Sequence, residues 1–216
     1  MMRRAACLLG LALVFPSSAL AQPKEPIGRF AADIRGAFAR HKAEPSVATD
    51  LEVNAGNLPT KSFGLVGGAH VYPLRLGKSV ALGVGANVVF TRGSKAIETD
   101  NTDGTTTTGP TVRRHFRTIS PEISLNFGHK NGWSYISGGM FGRSTLYLDR
   151  ADAPASNAPT RATINYGGGA RWFATAHVAF SVDFRWYSVN EMPAQPGLVA
   201  QPRTTLLVLS GGISLK

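Results

Sequence analysis

Cysteine is almost absent from this chain, with Cys7 as the single example in 216 residues. Cys7 lies near the N-terminus, in a segment with the features of a signal peptide. The predicted mature chain therefore has no thiol. This excludes disulfide-stabilised scaffolds, thiolate metal sites and cysteine nucleophiles. The fold must therefore be stabilised by packing, hydrogen bonds and ion pairs.

Long apolar runs are also missing from most of the chain. After the first 21 residues no apolar stretch reaches 18 residues, so the sequence predicts no transmembrane helix. Near the N-terminus, Arg3 and Arg4 precede a short apolar run at 5–15, and an Ala-Leu-Ala cleavage pattern follows. We therefore predict a cleavable signal peptide at 1–21 and an exported mature domain at 22–216.

Acidic residues are outnumbered, with 13 Asp and Glu against 23 Lys and Arg. Removing Arg3 and Arg4 leaves 21 basic residues against the 13 acidic ones, a net charge of +8. Strongly basic domains often bind nucleic acid, but these basic residues are scattered over strand ends and turns, and an exported protein does not meet the genome. We predict no nucleic-acid binding, and the phosphates of lipid A are the more natural partners for arginines at a membrane surface.

Strict alternation of apolar and polar residues is the strongest pattern present. In HVAFSVDFRWY at 177–187, the apolar set Val178, Phe180, Val182, Phe184 and Trp186 alternates with a more polar set. Period two places the two sets on opposite faces of a strand. In a soluble sandwich the apolar face meets a core, whereas in a membrane barrel it meets lipid and the polar face lines the lumen.

Eight segments of this kind follow one another along the mature chain. We predict strands at 29–40, 62–74, 79–91, 115–127, 133–147, 161–173, 177–188 and 204–215. They are about 12 residues long, against 5 or 6 in soluble sheets, and a tilted strand needs about 9–11 residues to cross a membrane. Phe30, Ile34 and Phe38 in the first segment also fit a helix, but Gly36 and an even strand count favour a strand.

The gaps between these segments alternate strictly in length. RLGK, GHKNG and ATA form short turns, whereas the long gaps at 41–61, 92–114, 148–160 and 189–203 are polar. Short periplasmic turns and long external loops are typical of bacterial outer-membrane barrels. Because 92–114 includes ETDNTDGTTTTGP, which has almost no apolar content, we expect a mobile loop there.

The polar faces of the strands carry both signs of charge in equal number. An eight-stranded barrel has an interior that side chains can fill, and buried charges are tolerated when they are paired. We predict a lumenal ion-pair cluster made of Asp33, Arg35, Glu122, Arg171, Asp183 and Arg185.

The fifth segment has large apolar residues in both registers. Gly138-Gly139 is a candidate for a bulge at which the register changes, and we place Arg143 inward because an outward arginine is costly. Aromatic residues gather near strand ends, and we interpret Phe127, Trp133, Trp172 and Trp186 as interfacial girdle residues. Ordinary β-propensity is the alternative explanation for these aromatics.

The chain resembles the small bacterial outer-membrane β-barrels of the OmpA-like and OmpX-like kind. The resemblance rests on ALAQ at the processing site, GGGARWF, VAFSVDFRWY and the closing VLSGGISLK, although the chain ends in Leu215-Lys216 and not in an aromatic residue. It implies an eight-stranded antiparallel up-and-down barrel in a Gram-negative outer membrane. It also implies contact with membrane lipid and lipopolysaccharide, and insertion by the barrel-assembly machinery. We expect a monomer.

Three functional classes fit this architecture. They are a structural or surface-interaction barrel, a narrow channel for small solutes, and a lipid A-modifying enzyme. His177 and Ser181 share a strand face but lie about 13 Å apart, too far for a catalytic pair, and the histidines show no metal-ligand spacing. We therefore predict no catalytic residue, no metal site and no cofactor, and a structural or interaction role.

Overall fold

Eight antiparallel strands form one closed barrel in which each strand pairs with its neighbour in sequence and the last pairs with the first. The computed structural model describes residues 25–102, 104–152, 158–194 and 200–216. The strands are β1 Phe30–Arg40, β2 Lys61–Leu76, β3 Val80–Asp100, β4 Thr106–His129, β5 Gly132–Arg150, β6 Arg161–Phe173, β7 Val178–Val189 and β8 Thr204–Leu215. The predicted fold class is confirmed, while the predicted signal peptide lies outside the described residues.

Two short helical elements lie between β1 and β2. They are α1 at Pro45–Asp50 and a 3₁₀ turn at Ala55–Asn57. No helix among the described residues is long and apolar enough to cross a membrane.

The two ends of the barrel differ in their connections. At one end, which we call the short-turn end, β2 joins β3, β4 joins β5, and β6 joins β7 over a few residues each. The opposite end, the long-loop end, carries the three longer connections, β1 to β2, β5 to β6 and β7 to β8, together with the extended hairpin of β3 and β4. The segment at 29–40 is a strand and not a helix, since β1 pairs with both β2 and β8.

The prediction of a mobile loop at 92–114 is wrong. β3 and β4 continue as a paired hairpin far beyond the other strands, with Thr99 opposite Thr107, and Gly104 takes a positive φ of 80° at its turn. Threonine is β-branched and favours strands. Low apolar content therefore did not prevent strand formation once each residue had a partner across the hairpin.

The connection between β1 and β2 packs on the base of this hairpin. Ala48 and Leu58 form a small buried cluster with Val112 of β4, and Leu148 of β5 packs against it. Asn57 Nδ2 donates to the backbone oxygen of Glu98 at 3.2 Å. The long-loop end therefore has an apolar core of its own.

A bulge in β5 decides which side chains of that strand face outward. Its partners in β4 and β6 both shift register, and the shift places one extra residue of β5 between Gly139 and Gly142. An extra residue exchanges the two faces of a strand. Arg143 consequently points outward and is exposed, so its predicted inward position is wrong, whereas the predicted register change near Gly138-Gly139 is confirmed.

Candidate functional site in the barrel interior

The barrel interior is divided into layers. A charged layer at mid-height lies between two apolar clusters. The cluster towards the short-turn end contains Tyr72, Trp133 and Tyr135, and the one towards the long-loop end contains Phe116, Tyr187 and Leu206.

Within the charged layer, Asp33 and Arg171 form the ion pair on the side of the short-turn end. Arg171 donates through Nε to Asp33 Oδ1 at 3.0 Å and through Nη2 to Asp33 Oδ2 at 2.6 Å. The guanidinium also lies 4.4 Å from the ring centroid of Tyr135, and Ser214 donates to the Asp33 carboxylate. Two parallel hydrogen bonds fix the orientation of both groups.

Glu122 is the centre of the charged layer. Its carboxylate accepts hydrogen bonds from Arg185 and Asn87, and from Ser137 at 3.2 Å. His70 Nε2 lies 2.9 Å from Glu122 Oε1. Four partners from four different strands therefore meet at one buried carboxylate.

Asp183 joins the two halves of the network. Arg185 donates to both of its oxygens, at 3.2 and 3.0 Å, and the Tyr135 hydroxyl donates to Oδ2 at 2.8 Å. Arg35 Nη1 lies 3.6 Å from the same oxygen and donates to the Tyr135 hydroxyl at 3.0 Å. Hydrogen bonds thus connect Arg35, Tyr135, Asp183 and Arg185 with Glu122. The Asp33–Arg171 pair contacts this network through the ring of Tyr135.

The structure places all six residues of the predicted ion-pair cluster inside the barrel, each no more than 6% exposed. Three carboxylates face three guanidinium groups, so the formal charges cancel. Because an isolated buried charge is unfavourable by several kcal/mol, this balance is what makes a charged lumen compatible with a stable barrel.

Neutral side chains complete the network, and we did not single them out from the sequence. They are Tyr72, Asn87, Tyr135, Ser137 and Asn165. No sequence motif distinguishes such residues. Only their register positions, opposite the apolar ones, mark them as inward-facing.

Inward-facing glycines make room for these large side chains. A Cβ added at Gly169 would lie 2.7 Å from the Tyr135 hydroxyl, and one added at Gly83 would lie 2.8 Å from the Tyr72 ring. The space that these glycines leave is therefore filled by aromatic side chains of neighbouring strands, and the interior is packed there.

A histidine–serine pair lies in the interior near the long-loop end. His41 Nε2 is 2.7 Å from Ser62 Oγ, and Ser62 donates to Thr91 Oγ1 at 3.0 Å. Such a pair is the core of many hydrolytic sites, but Ser62 has no exposed surface. Burial, followed by the nearby charge of Arg114, lowers the pKa of His41 to about 3. The pair therefore stabilises the fold in its neutral form.

Metal ligation has no structural support in the part of the chain that the structure describes. No group of three or more His, Cys, Asp or Glu side chains there has a geometry that could hold a metal ion. The charged layer instead satisfies its carboxylates with arginine, amide and hydroxyl donors.

Three of the four predicted girdle aromatics face outward. Phe127 and Trp172 are exposed and Trp186 is half-buried beside Tyr166 at 5.5 Å between ring centroids. Trp133 was assigned wrongly, because it points into the barrel, is 3% exposed, and packs on Tyr72. Between the short-turn end and the bulge of β5, the odd-numbered residues of that strand face inward, and Trp133 is one of them.

Comparison with solved structures identifies this architecture. Neisserial surface protein A (NspA) superposes with a TM-score of 0.51 at 13% sequence identity, over 87% of this chain and 96% of that one. The chain has the fold of the small eight-stranded outer-membrane β-barrels. Ail, the attachment invasion locus protein of Yersinia pestis, gives a TM-score of 0.48 at 11% identity, over 87% and 99% of the two chains.

The outer-membrane protein OprG from Pseudomonas aeruginosa gives a TM-score of 0.48 at 9% identity, over 88% of this chain and 97% of that one. No protein-family model matches the chain, and no curated protein matches it in sequence. At these low identities the likeness concerns the fold.

Proposed function

We propose that this chain is an integral outer-membrane β-barrel with a structural or surface-interaction role, and that it is not an enzyme. One observation carries the proposal: the polarity of the barrel is inverted, with charged side chains inside and apolar side chains outside. A soluble barrel keeps its apolar residues in the core and its charges in water.

The apolar outer surface supports a location in a membrane. Twenty-five large hydrophobic side chains of the described residues are exposed, and they occur on every strand of the barrel. Soluble monomers rarely expose contiguous apolar patches of more than a few hundred Å². A continuous apolar belt around a closed barrel suits a bilayer, because the closed ring also satisfies every backbone hydrogen bond.

The cellular setting follows from the same architecture. We propose that the short-turn end faces the periplasm, that the long-loop end is external, and that the chain is exported through its signal peptide. Insertion by the barrel-assembly machinery, contact with membrane lipid and lipopolysaccharide, and a monomeric state belong to this proposal. The outer-membrane origin of proteins with the same fold supports it.

The packed lumen favours a structural or binding role over a channel. The charged layer is flanked on both sides by buried apolar clusters that contain Phe116, Tyr187, Trp133 and Tyr72. An ion would have to displace the buried contacts of Arg185 and Glu122 to pass. The tall hairpin of β3 and β4, together with the connection between β1 and β2, supplies the surface for interactions at the long-loop end.

Detergent dependence and heat-modifiable migration test the membrane location. The purified mature protein should give a β-rich circular dichroism spectrum in detergent or lipid vesicles, and should migrate differently on gels before and after boiling. A monodisperse folded protein in detergent-free buffer would contradict the proposal.

Planar-bilayer recording tests the packed lumen. The wild-type protein should show no stable conductance steps. The channel alternative would be supported if the wild type showed conductance steps and Arg185→Ala changed their size. Arg185 is the residue to change because its side chain contacts both Glu122 and Asp183. An Arg75→Ala variant, altered at the exposed short-turn end, is the control.

A further inference from the structure

A row of basic side chains runs along the outer surface at the edge of the apolar belt. It consists of Arg40 in β1, Lys61 in β2, Arg92 in β3, Arg117 in β4 and Arg143 in β5, and all five side chains are exposed. We call this set the basic row. Each member is the first outward-facing residue beyond the belt on its strand.

Sheet register makes the basic row continuous. Arg40 lies directly opposite Lys61, and Arg92 lies opposite Phe63, two residues from Lys61. Directly opposite side chains on neighbouring strands have Cβ atoms about 5 Å apart, and diagonal neighbours about 7–8 Å.

The remaining steps are diagonal as well. Arg117 lies opposite Phe90, two residues from Arg92, and Arg143 lies opposite Ile119, two residues from Arg117. Five cations therefore follow one another across five adjacent strands.

The charge of the basic row is not compensated within the protein. None of its members forms an ion pair with any carboxylate in the described ranges. Like charges directly opposite on neighbouring strands are destabilising. Asp149 of β5 pairs with His115 at 3.4 Å and not with a member of the row. An anion from outside the protein would therefore stabilise this arrangement of cations.

His115 lies on the same outer face and directly opposite Arg92 in the sheet register. Burial lowers its pKa, Asp149 opposes this shift, and the charges of Arg92, Arg117 and Arg113 lower the pKa further. Three arginines thus act on one imidazole just beyond the belt. An anion bound among them would be held by several guanidinium groups at once.

An apolar residue lies beneath every member of the basic row. Two positions towards the short-turn end, the same outward faces carry Phe38, Phe63, Phe90, Ile119 and Phe141. Phe141 is 78% exposed and Phe63 is 66% exposed. A soluble polyanion would contact only the cations. A lipid would contact both sets, with its phosphates on the cations and its acyl chains on the apolar residues.

The other side of the barrel differs. At the corresponding positions β6, β7 and β8 present Ala162, Ser188 and Thr205, which are uncharged. A single cation, Arg203 just before β8, approaches this side among the described residues and donates to Ser188 Oγ at 3.4 Å. A belt edge adapted to a membrane in general has no reason to concentrate its cations on five adjacent strands. The asymmetry indicates a site on one side of the barrel.

We propose that the basic row binds the phosphate groups of an acylated, phosphorylated lipid such as lipid A, with its acyl chains on the phenylalanines below. The inference rests on the proposed membrane location. Beyond that location, it specifies the residues that bind the lipid, the side of the barrel on which they lie, and the chemical class of the lipid. Arginine suits this role because its planar fork donates two hydrogen bonds to one phosphate.

Native mass spectrometry of the detergent-solubilised mature protein tests the proposal. The probes are diphosphorylated lipid A, its dephosphorylated form and phosphatidylcholine. We expect diphosphorylated lipid A to bind most tightly. Arg92→Gln/Arg117→Gln/Arg143→Gln should weaken its binding at least about tenfold, since a charge-assisted hydrogen bond contributes about 1.5–3 kcal/mol.

A matched variant separates the site from overall charge. Arg29→Gln/Arg75→Gln/Lys78→Gln removes the same charge from exposed positions at the short-turn end and should change lipid A binding less than about twofold. Equal weakening by both triple variants, or none by the first, would overturn the proposal. Heat-modifiable migration of each variant establishes that it still folds.

Competition experiments separate the possible sources of the anion. Millimolar inorganic phosphate or a sulfated polysaccharide that displaces lipid A fully would overturn the lipid assignment in favour of a soluble anion. A wild-type protein that inserts into vesicles but shows no preference for lipid A contradicts this inference alone. A protein that folds without detergent contradicts the proposed function itself.

Discussion

The carboxylate of Asp33 on β1 and the guanidinium of Arg171 on β6 face each other across the barrel and form a two-point ion pair, at 3.0 and 2.6 Å. They are 138 residues apart in sequence. Neither strand pairs with the other, so the contact crosses the lumen. It therefore ties opposite walls together, which backbone hydrogen bonds between neighbouring strands do not do.

Breaking this pair should destabilise the barrel strongly. Asp33→Asn leaves the Arg171 charge buried without its counterion, and removal of one partner of a buried pair costs about 3–5 kcal/mol. Urea unfolding of the protein in lipid vesicles, followed by tryptophan fluorescence, measures the change. Asp50→Asn, at an exposed position in α1, is the control and should leave the unfolding midpoint nearly unchanged.

A double-mutant cycle isolates the pair. Asp33→Asn combined with Arg171→Met should be less destabilising than the sum of the two single substitutions, since no unpaired charge remains. Strict additivity would mean that the two residues do not interact in the folded barrel.

Glycine at position 169 should be required for packing of the charged layer. In Gly169→Ala the new methyl group would meet the Tyr135 hydroxyl at 2.7 Å and the backbone oxygen of Val182. Overpacking of this kind costs about 1–3 kcal/mol, measured as the urea unfolding midpoint. Gly67→Ala is the matched control because nothing lies within 4 Å of its added Cβ. Equal effects of the two variants would contradict the interior location of residue 169.

Stability should fall as the pH is lowered through the ordinary titration range of His41. Its pKa is about 3 in the folded protein against 6.5 in the unfolded chain. Below pH 6.5 the unfolded state therefore binds a proton that the folded state does not bind. Linkage gives a loss of about 2 kcal/mol between pH 7 and pH 5 from this residue. The buried Nδ1 has no hydrogen-bond partner within the described chain, so a proton bound there would have no acceptor.

Comparison of variants attributes the pH dependence to His41. In His41→Gln, which cannot titrate, the unfolding free energy should depend less on pH over this range. His177→Gln, altered at an exposed turn, serves as the control and should keep the wild-type profile. An unchanged profile in His41→Gln would show that other groups carry the pH dependence.

A charge placed in the middle of the apolar belt should be unfavourable only if that surface contacts lipid. Ile123 is 60% exposed and lies centrally on β4, so Ile123→Arg should destabilise the barrel in vesicles by about 2–4 kcal/mol. Ser134→Arg, on an exposed position beside the short-turn end, should cost less than about 1 kcal/mol. A neutral effect of Ile123→Arg would contradict contact with lipid.

The eight strands and the faces of most of them could be predicted from the chain alone. Successive side chains of a strand point to opposite sides, so the alternation of residues 177–187 fixes which side chains share a face. The same rule placed Asp33, Glu122 and Asp183 on inward faces with their arginines. Nothing beyond local backbone geometry is needed for these conclusions.

Three predictions failed because they depended on contacts between strands. The extra residue in β5 turned Arg143 outward, and Trp133 turned inward on the other side of the same bulge. The segment 92–114 became a hairpin because each strand supplied the other with hydrogen-bond partners. Gly138-Gly139 marked the bulge in the sequence, but which residues face outward on each side of it depended on pairing with β4 and β6.

The sequence by itself determined the eight long alternating strands, the short connections at one end of the barrel, and the inward faces of three acids and three arginines. Only the tertiary structure decided which carboxylate meets which guanidinium, and that five cations form one row. The physical reason is that strand alternation is a property of the backbone over a few residues. Pairing across a lumen or along a belt edge depends on the closure and register of the whole barrel.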